Sequence, residues 1–140
     1  MIEFKSGNIF TTECQTIVNT VNCVGVMGAG IAYEFRLRFP EMFSKYKSFC
    51  DEGKLKIGSL WMYKLPNDEV ASYRNILNFP TKKHWKFPSK EEYLEKGLQK
   101  FVSSYNEKDI RSVAFPLLGA SHGGLSEETS IAIMKRYLSK

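Results

Sequence analysis

Two glycine-rich stretches constrain this chain more than anything else in it. They are Asn22-Cys23-Val24-Gly25-Val26-Met27-Gly28-Ala29-Gly30 and Leu118-Gly119-Ala120-Ser121-His122-Gly123-Gly124-Leu125. Each follows a short apolar or β-branched run and leads into a pattern with helical spacing. Glycine at such a turn lets the backbone approach a ligand closely and present its N–H groups. The helix that follows adds the positive end of its dipole, a natural seat for a pyrophosphate. Ligands of open α/β sheets bind beyond the carboxyl ends of the strands, so two strand-end loops can close on one phosphate chain from both sides. The spacing Gly25, Gly28, Gly30 is not the G-x-G-x-x-G dinucleotide fingerprint, which belongs after the first strand of a Rossmann domain. Either loop alone reads as an ordinary glycine-rich turn, and the pair is the stronger signal.

The pattern between the loops fits a layered α/β domain. Strands are expected near Ile2–Lys5, Thr16–Asn19, Ser59–Lys64, Arg74–Asn78 and Ser112–Pro116. The second and last are short and apolar or β-branched, as suits interior strands covered on both faces. A first helix is expected from Gly30 to Phe39. Pro40 then suits the first turn of a second helix, where its missing N–H costs nothing, and Gly53 ends it. Ser89 and Glu92 form a capping box before a third helix whose stripe is Leu94, Leu98, Phe101, Val102 and Tyr105. Gly97 lies inside that helix, where alanine should be harmless or mildly stabilising. A fourth helix starts at Ser126, with Glu127 and Glu128 in its first turn. The chain ends at Lys140, directly after this helix, so a closing strand is not expected, whether in a stand-alone variant or a fragment.

At 140 residues the chain has the size of one ordinary domain. No apolar run approaches the roughly 20 residues that cross a bilayer, and the N-terminus lacks a secretory signal's apolar stretch. Three cysteines, Cys14, Cys23 and Cys50, match no zinc or redox spacing. A reducing cytoplasmic setting is expected, without membrane, metal or cofactor. Cys23 lies in the first glycine-rich loop and reads either as a reactive thiol or, more simply, as a small buried hydrophobe. The net charge of +5 favours anionic partners such as nucleotides or nucleic acid.

Two further groups carry possible chemistry. Asn19 and Asn22 flank the end of the second strand. Their amides suit ribose hydroxyls, or they cap turns, a common use of asparagine. Asn78-Phe79-Pro80-Thr81-Lys82-Lys83-His84-Trp85-Lys86 mixes cations with aromatics after another strand. A desolvated lysine there can act as nucleophile or base. Such a loop can also bind single-stranded nucleic acid by stacking and charge, or be a solvated basic loop.

Residues 18–32, from Val18-Asn19-Thr20-Val21-Asn22 through Gly30-Ile31-Ala32, resemble the first ligand loop of macrodomains. The likeness is strongest to the subgroup found in antitoxins that oppose a DNA ADP-ribosyltransferase toxin. Asn78 to Trp85 resembles that subgroup's lysine motif, Leu118 to Leu125 its second phosphate loop, and Gly7-Asn8-Ile9-Phe10 the early loop that meets adenine. The resemblance implies a three-layer α/β/α sandwich in one domain, with a mixed sheet and ADP-ribose in a surface cleft. Asn8 and Ile9 would contact the adenine side, and Asn22 the distal ribose. Gly25, Val26, Met27, Gly28, Gly30 and Ile31 would hold the diphosphate from one side. Leu118, Gly119, Ala120, Ser121, His122, Gly123, Gly124 and Leu125 would hold it from the other. Lys82, next to the substrate-binding Thr81, matches the catalytic lysine of this subgroup and of the related terminal ADP-ribose protein glycohydrolases. It would act at the anomeric carbon of the distal ribose by covalent attack or by proton transfer.

Two departures from that pattern bear on turnover. Ala29 stands where the subgroup usually has lysine, and Ser126 where relatives often place aspartate, with Glu127 one position later. The resemblance therefore leaves two readings. In the first, a monomeric hydrolase removes ADP-ribose from modified DNA or protein, with a DNA ADP-ribosyltransferase toxin as its partner. In the second, a non-catalytic domain binds ADP-ribose or a related nucleotide. A weaker third reading, a nucleic-acid-binding domain, leaves the two phosphate loops unexplained.

Overall fold

A computed structural model describes residues 2–66, 72–120 and 123–139. Among the described residues nine elements follow in order. A 3-10 turn, Ile9–Thr11, precedes strand β1 (Thr16–Asn22). Helices α1 (Gly30–Arg38) and α2 (Pro40–Asp51) come next. Strands β2 (Trp61–Lys64) and β3 (Asn75–Lys82) are followed by α3 (Glu91–Ser104), β4 (Val113–Ala114) and α4 (Glu127–Leu138). The four strands form one mixed sheet in the order β2-β3-β1-β4. β1 runs parallel to β3 and β4, and β2 is antiparallel to β3.

Alternation along the central strands builds a core on each face of the sheet. Ile17 and Val21 of β1 and Ile76 of β3 pack with Phe35 of α1 and with Met42 and Tyr46 of α2. Val18 of β1 and Leu77 and Phe79 of β3 pack with Leu94, Leu98 and Phe101 of α3 and with Ile133 and Met134 of α4. The result is the three-layer α/β/α sandwich that the resemblance implies. Both central strands are buried on both faces, which explains their continuous apolar runs. Among the described residues no helix is long and apolar enough to cross a membrane.

Four local expectations need correction. Residues 2–5 form no strand: Phe4 is 58% exposed, with the Lys135 ammonium over its ring, so the segment has no buried face to reward pairing. β3 runs past its expected end at Asn78 to Lys82. Pro80 is tolerated because β2 pairs no further along β3 than Trp61 opposite Asn78, so beyond that point only β1 lies alongside. Ser89 does not cap α3. Lys90 holds the cap position without a side-chain bond, while the Ser89 hydroxyl donates to the Thr81 carbonyl. Gly97 is not a free helix position. A Cβ there would lie 2.3 Å from Cζ of the fully buried Phe79, so the helix packs on β3 through its missing side chain.

Candidate functional site

The parallel strands β1, β3 and β4 point their carboxyl ends the same way, and the loops of interest leave from that edge. β1 ends in an irregular step of register between Val21 and Asn22, which sets Asn22 opposite Lys82 of β3. The Cys23 N–H donates to the Lys83 carbonyl at 3.3 Å, continuing the contact past the strands. Two segments about 60 residues apart in sequence are thereby joined at the root of the first glycine-rich loop.

Asn22 shapes that loop from inside. Its Nδ2 donates to the Val26 carbonyl at 2.7 Å, and its Oδ1 accepts from the N–H groups of Val24 and Val26. The Tyr46 hydroxyl donates to both the carbonyl and the Oδ1 of Asn22, at 2.7 and 2.9 Å. Burial raises the Tyr46 phenol well above its ordinary pKa, so the hydroxyl stays a donor. The Oδ1 of Asn22 is thus saturated, while one Nδ2 proton is left for another acceptor. Met27 is wholly buried beneath the loop, so it shapes the loop from below and, contrary to the expectation from sequence, does not itself face a surface ligand. Val26 and Gly28 face solvent, and Gly25 is buried against Lys47 and Cys50. The loop ends at Gly30, whose φ of +60° suits glycine, and α1 starts there without a side-chain cap. The first N–H groups of an α-helix have no partner inside the helix, so this uncapped turn, with Gly30 and half-buried Ile31, presents donors and a positive dipole end.

The lysine segment closes the neighbouring side. Thr81 is buried, and half-buried Lys82 donates from Nζ to the Trp85 carbonyl at 2.9 Å. The Ser89 N–H donates to the Gly123 carbonyl at 2.7 Å, so Ser89 ties the lysine segment to the second glycine-rich loop. That loop is itself braced. The Leu125 N–H donates to the Gly119 carbonyl, the Gly123 N–H to the Ala120 carbonyl, and the Ser130 hydroxyl to the Leu118 carbonyl. Leu118 is fully buried, Gly123 is buried, and Ala120 and Leu125 are half-buried. Gly119 has φ +71°, and a Cβ there would meet Cδ1 of Leu125 at 2.8 Å, so the turn admits only glycine without a shift. Gly124 closes the loop, and Ser126 then caps α4, accepting from the Thr129 N–H at 3.1 Å. Ser121 and His122 lie outside the described residues.

Other candidates take simpler roles. The Oδ1 of Asn8 caps the 3-10 turn through the Phe10 N–H, leaving its amide nitrogen outward, and Ile9 packs half-buried on the core. Asn19 is fully buried and donates to the Oδ1 of Asn78, so it braces β1 against β3 and is out of reach of a surface ligand. Burial pushes the Cys23 thiol up to about 11, which keeps it protonated at neutral pH and favours its reading as a small hydrophobe. Two hollows lie away from all this: about 150 Å³ between Arg38 and Tyr63, and about 210 Å³ among Gln15, Lys64 and Lys108. Sequence reading missed the parts played by Tyr46 and Ser89, because one looked like a helix stripe and the other like a cap.

The Macro domain family matches residues 18–134, and the chain belongs to that family. Its likeness extends to one kind of macrodomain in particular. It is 44% identical over 128 residues to the "DNA ADP-ribosyl glycohydrolase" of Mycobacterium tuberculosis, covering 91% of this chain and 36% of the relative. The solved "Macrodomain of Thermus aquaticus DarG" superposes with a TM-score of 0.90 at 40% identity, covering 99% of this chain and 91% of that one. "Thermosipho africanus DarTG in complex with ADP-ribose" superposes with a TM-score of 0.88 at 34% identity, covering 95% of this chain and 37% of that one. The chain spans about a third of the length of the curated relatives it matches.

Proposed function

We propose that this chain is a single macrodomain that holds ADP-ribose between its two glycine-rich loops and hydrolyses its bond to a DNA base. The relatives carry that activity in their names, and one solved relative is described with ADP-ribose bound. The observation that carries the reading here is the pairing of Asn22 with Lys82 across β1 and β3. It brings Lys82, a half-buried residue, to the root of the loop whose uncapped helix suits a diphosphate. The adenine side falls to Asn8 and Ile9, the diphosphate to Gly25–Ile31 and Gly119–Leu125, and the distal ribose to Asn22. Lys82 then works at C1″ of that ribose. In the reaction the bond from C1″ to the base nitrogen breaks, the hydroxyl of water ends on C1″, and the proton ends on the base. Lys82 serves this either by attacking C1″ before water does or by handing a proton to the departing nitrogen. A relative from Thermosipho africanus is named as a fusion of a DNA ADP-ribosyl transferase with a DNA ADP-ribosyl glycohydrolase. Such a transferase is the partner whose product this domain would reverse.

The second reading, a binder without turnover, draws on Ser126. Its hydroxyl is used as a helix cap, and no carboxylate occupies that position. Incubation with ADP-ribosylated DNA and with ADP-ribosylated protein, followed by assay of released ADP-ribose, separates the two. Release from DNA supports the hydrolase. Micromolar binding of free ADP-ribose, near −8 kcal/mol, without release from either substrate supports the binder. In that case Ser126→Asp, which keeps a good capping oxygen, is the variant expected to gain turnover.

A further inference from the structure

The loop just past Lys82 carries a feature that neither ADP-ribose binding nor folding requires. Trp85 and Phe87 are 55% and 60% exposed, unusually bare for such large rings. They are not loose. His84 lies between them, with ring centroids 5.2 Å from Trp85 and 5.5 Å from Phe87. The turn beneath is fixed by Lys86 N–H to His84 Nδ1 at 3.1 Å and by Phe87 N–H to the His84 carbonyl at 3.2 Å. Lys83 and Lys90 flank this aromatic pair in the sequence. The ammonium groups of Lys83 and Lys90 both sit near the Tyr93 ring, 5.6 and 5.9 Å from its centroid. Both ammonium groups lie within about 6 Å of one ring centroid, so a phosphate reaching that ring would meet positive charge.

We propose that this surface is a stacking platform for the single strand of nucleic acid that carries the ADP-ribose. Trp85 and Phe87 would receive bases of that strand, and Lys83 and Lys90 its phosphates. Rigid exposed aromatics beside a cationic track are how proteins hold single strands, because every base offers a π-face and every phosphate a charge. A duplex keeps its bases stacked on one another and cannot offer those faces. A protein acceptor would offer neither bases nor a phosphate chain. The platform is also tied to the chemistry, since the carbonyl that accepts from Lys82 Nζ belongs to Trp85 itself. A base seated on Trp85 would thereby deliver its attached ribose to the lysine. This inference rests on the hydrolase reading for its substrate, but it is tested without catalysis.

The probe is an unmodified, fluorescein-labelled DNA oligonucleotide, single-stranded or annealed to its complement, followed by anisotropy at several salt concentrations. The wild-type protein should bind the single strand at least severalfold more tightly than the duplex, and added salt should weaken that binding. Trp85→Ala with Phe87→Ala should lower single-strand affinity by roughly tenfold or more, since base–aromatic stacking contributes on that scale. Trp85→Phe should keep most of the affinity, and free ADP-ribose should bind all three proteins within about twofold by calorimetry. Lys83→Ala with Lys90→Ala should flatten the salt dependence. Equal binding of single strand and duplex would overturn the proposal, as would a double aromatic variant that binds the strand like wild type. Absence of ADP-ribose release in the substrate assay would instead count against the hydrolase reading alone.

Discussion

Gly97→Ala is the sharpest test of how this fold is packed. Helix propensity alone favours the change by about 1 kcal/mol, because glycine is the poorest helix residue after proline. Packing opposes it. The new Cβ would fall 2.3, 2.5 and 3.0 Å from Cζ, Cε1 and Cε2 of Phe79. That ring is fully buried among Leu94, Leu98 and Leu118 and cannot swing into solvent. Overpacking of a filled core costs about 1–3 kcal/mol, and three contacts this close to one ring belong to the upper end, about 2–3 kcal/mol, so the expected net effect is a loss of about 1–2 kcal/mol. For a chain of this size that is a fall in Tm of roughly 4–8 °C. Phe79 also stands three residues before Lys82 on the same strand, so relief of the clash by sliding β3 would disturb the cleft. Urea unfolding followed by circular dichroism measures the loss. Phe79→Leu in the same chain should recover part of it, since the smaller side chain makes room for the methyl. A Gly97→Ala protein as stable as wild type, or more so, would refute the packing of α3 on β3 described above.

Three further outcomes follow from the site. Lys82→Ala should abolish release of ADP-ribose from modified DNA while leaving affinity for free ADP-ribose within severalfold, and arginine should not rescue it, because a guanidinium stays protonated. Gly119→Ala should weaken ADP-ribose binding about tenfold or more in calorimetry, because it forces a left-handed residue and displaces Leu125. Gly28→Ala is its control for folding, with ordinary φ and its nearest contact, Val26, at 3.5 Å. Cys23 should alkylate more slowly at pH 8 than a free thiol. Its raised pKa also gives a sign: the folded state holds the proton more tightly than the unfolded chain, so stability should fall as pH rises from 9.0 to about 11. In Cys23→Ala the fall in denaturation midpoint across that range should be smaller, with buried Tyr46 and Cys50 accounting for what remains.

Much of the architecture could be read locally. Pro40 at the head of α2, Ser126 before α4 and the buried runs of β1 and β3 each depend on a few neighbouring residues, so their signals survive in sequence. The two glycine-rich loops were legible for the same reason: a positive φ or a close backbone approach is a property of one residue type. Even so, the glycines that need their conformation are Gly25, Gly30, Gly119 and Gly124, whereas Gly28 and Gly123 have ordinary dihedrals. Sequence composition cannot distinguish these two groups.

The tertiary structure decided everything that joins distant segments. Asn22 meets Lys82 because β1 pairs with β3 in one register and then slips by a residue, and register is set by which faces the whole sheet buries. Ser89 has the sequence of a helix cap, yet its N–H and hydroxyl bridge Gly123 and Thr81, because these buried partners cannot be satisfied by water. Gly97 reads as an idle helix glycine until Phe79 lies across it. In each case the local preference is worth about 1 kcal/mol or less, and the packing or hydrogen bond formed with a distant residue matches or exceeds it. The sequence by itself therefore determined which segments turn, cap and alternate, and the assembled layers determined which of their atoms meet.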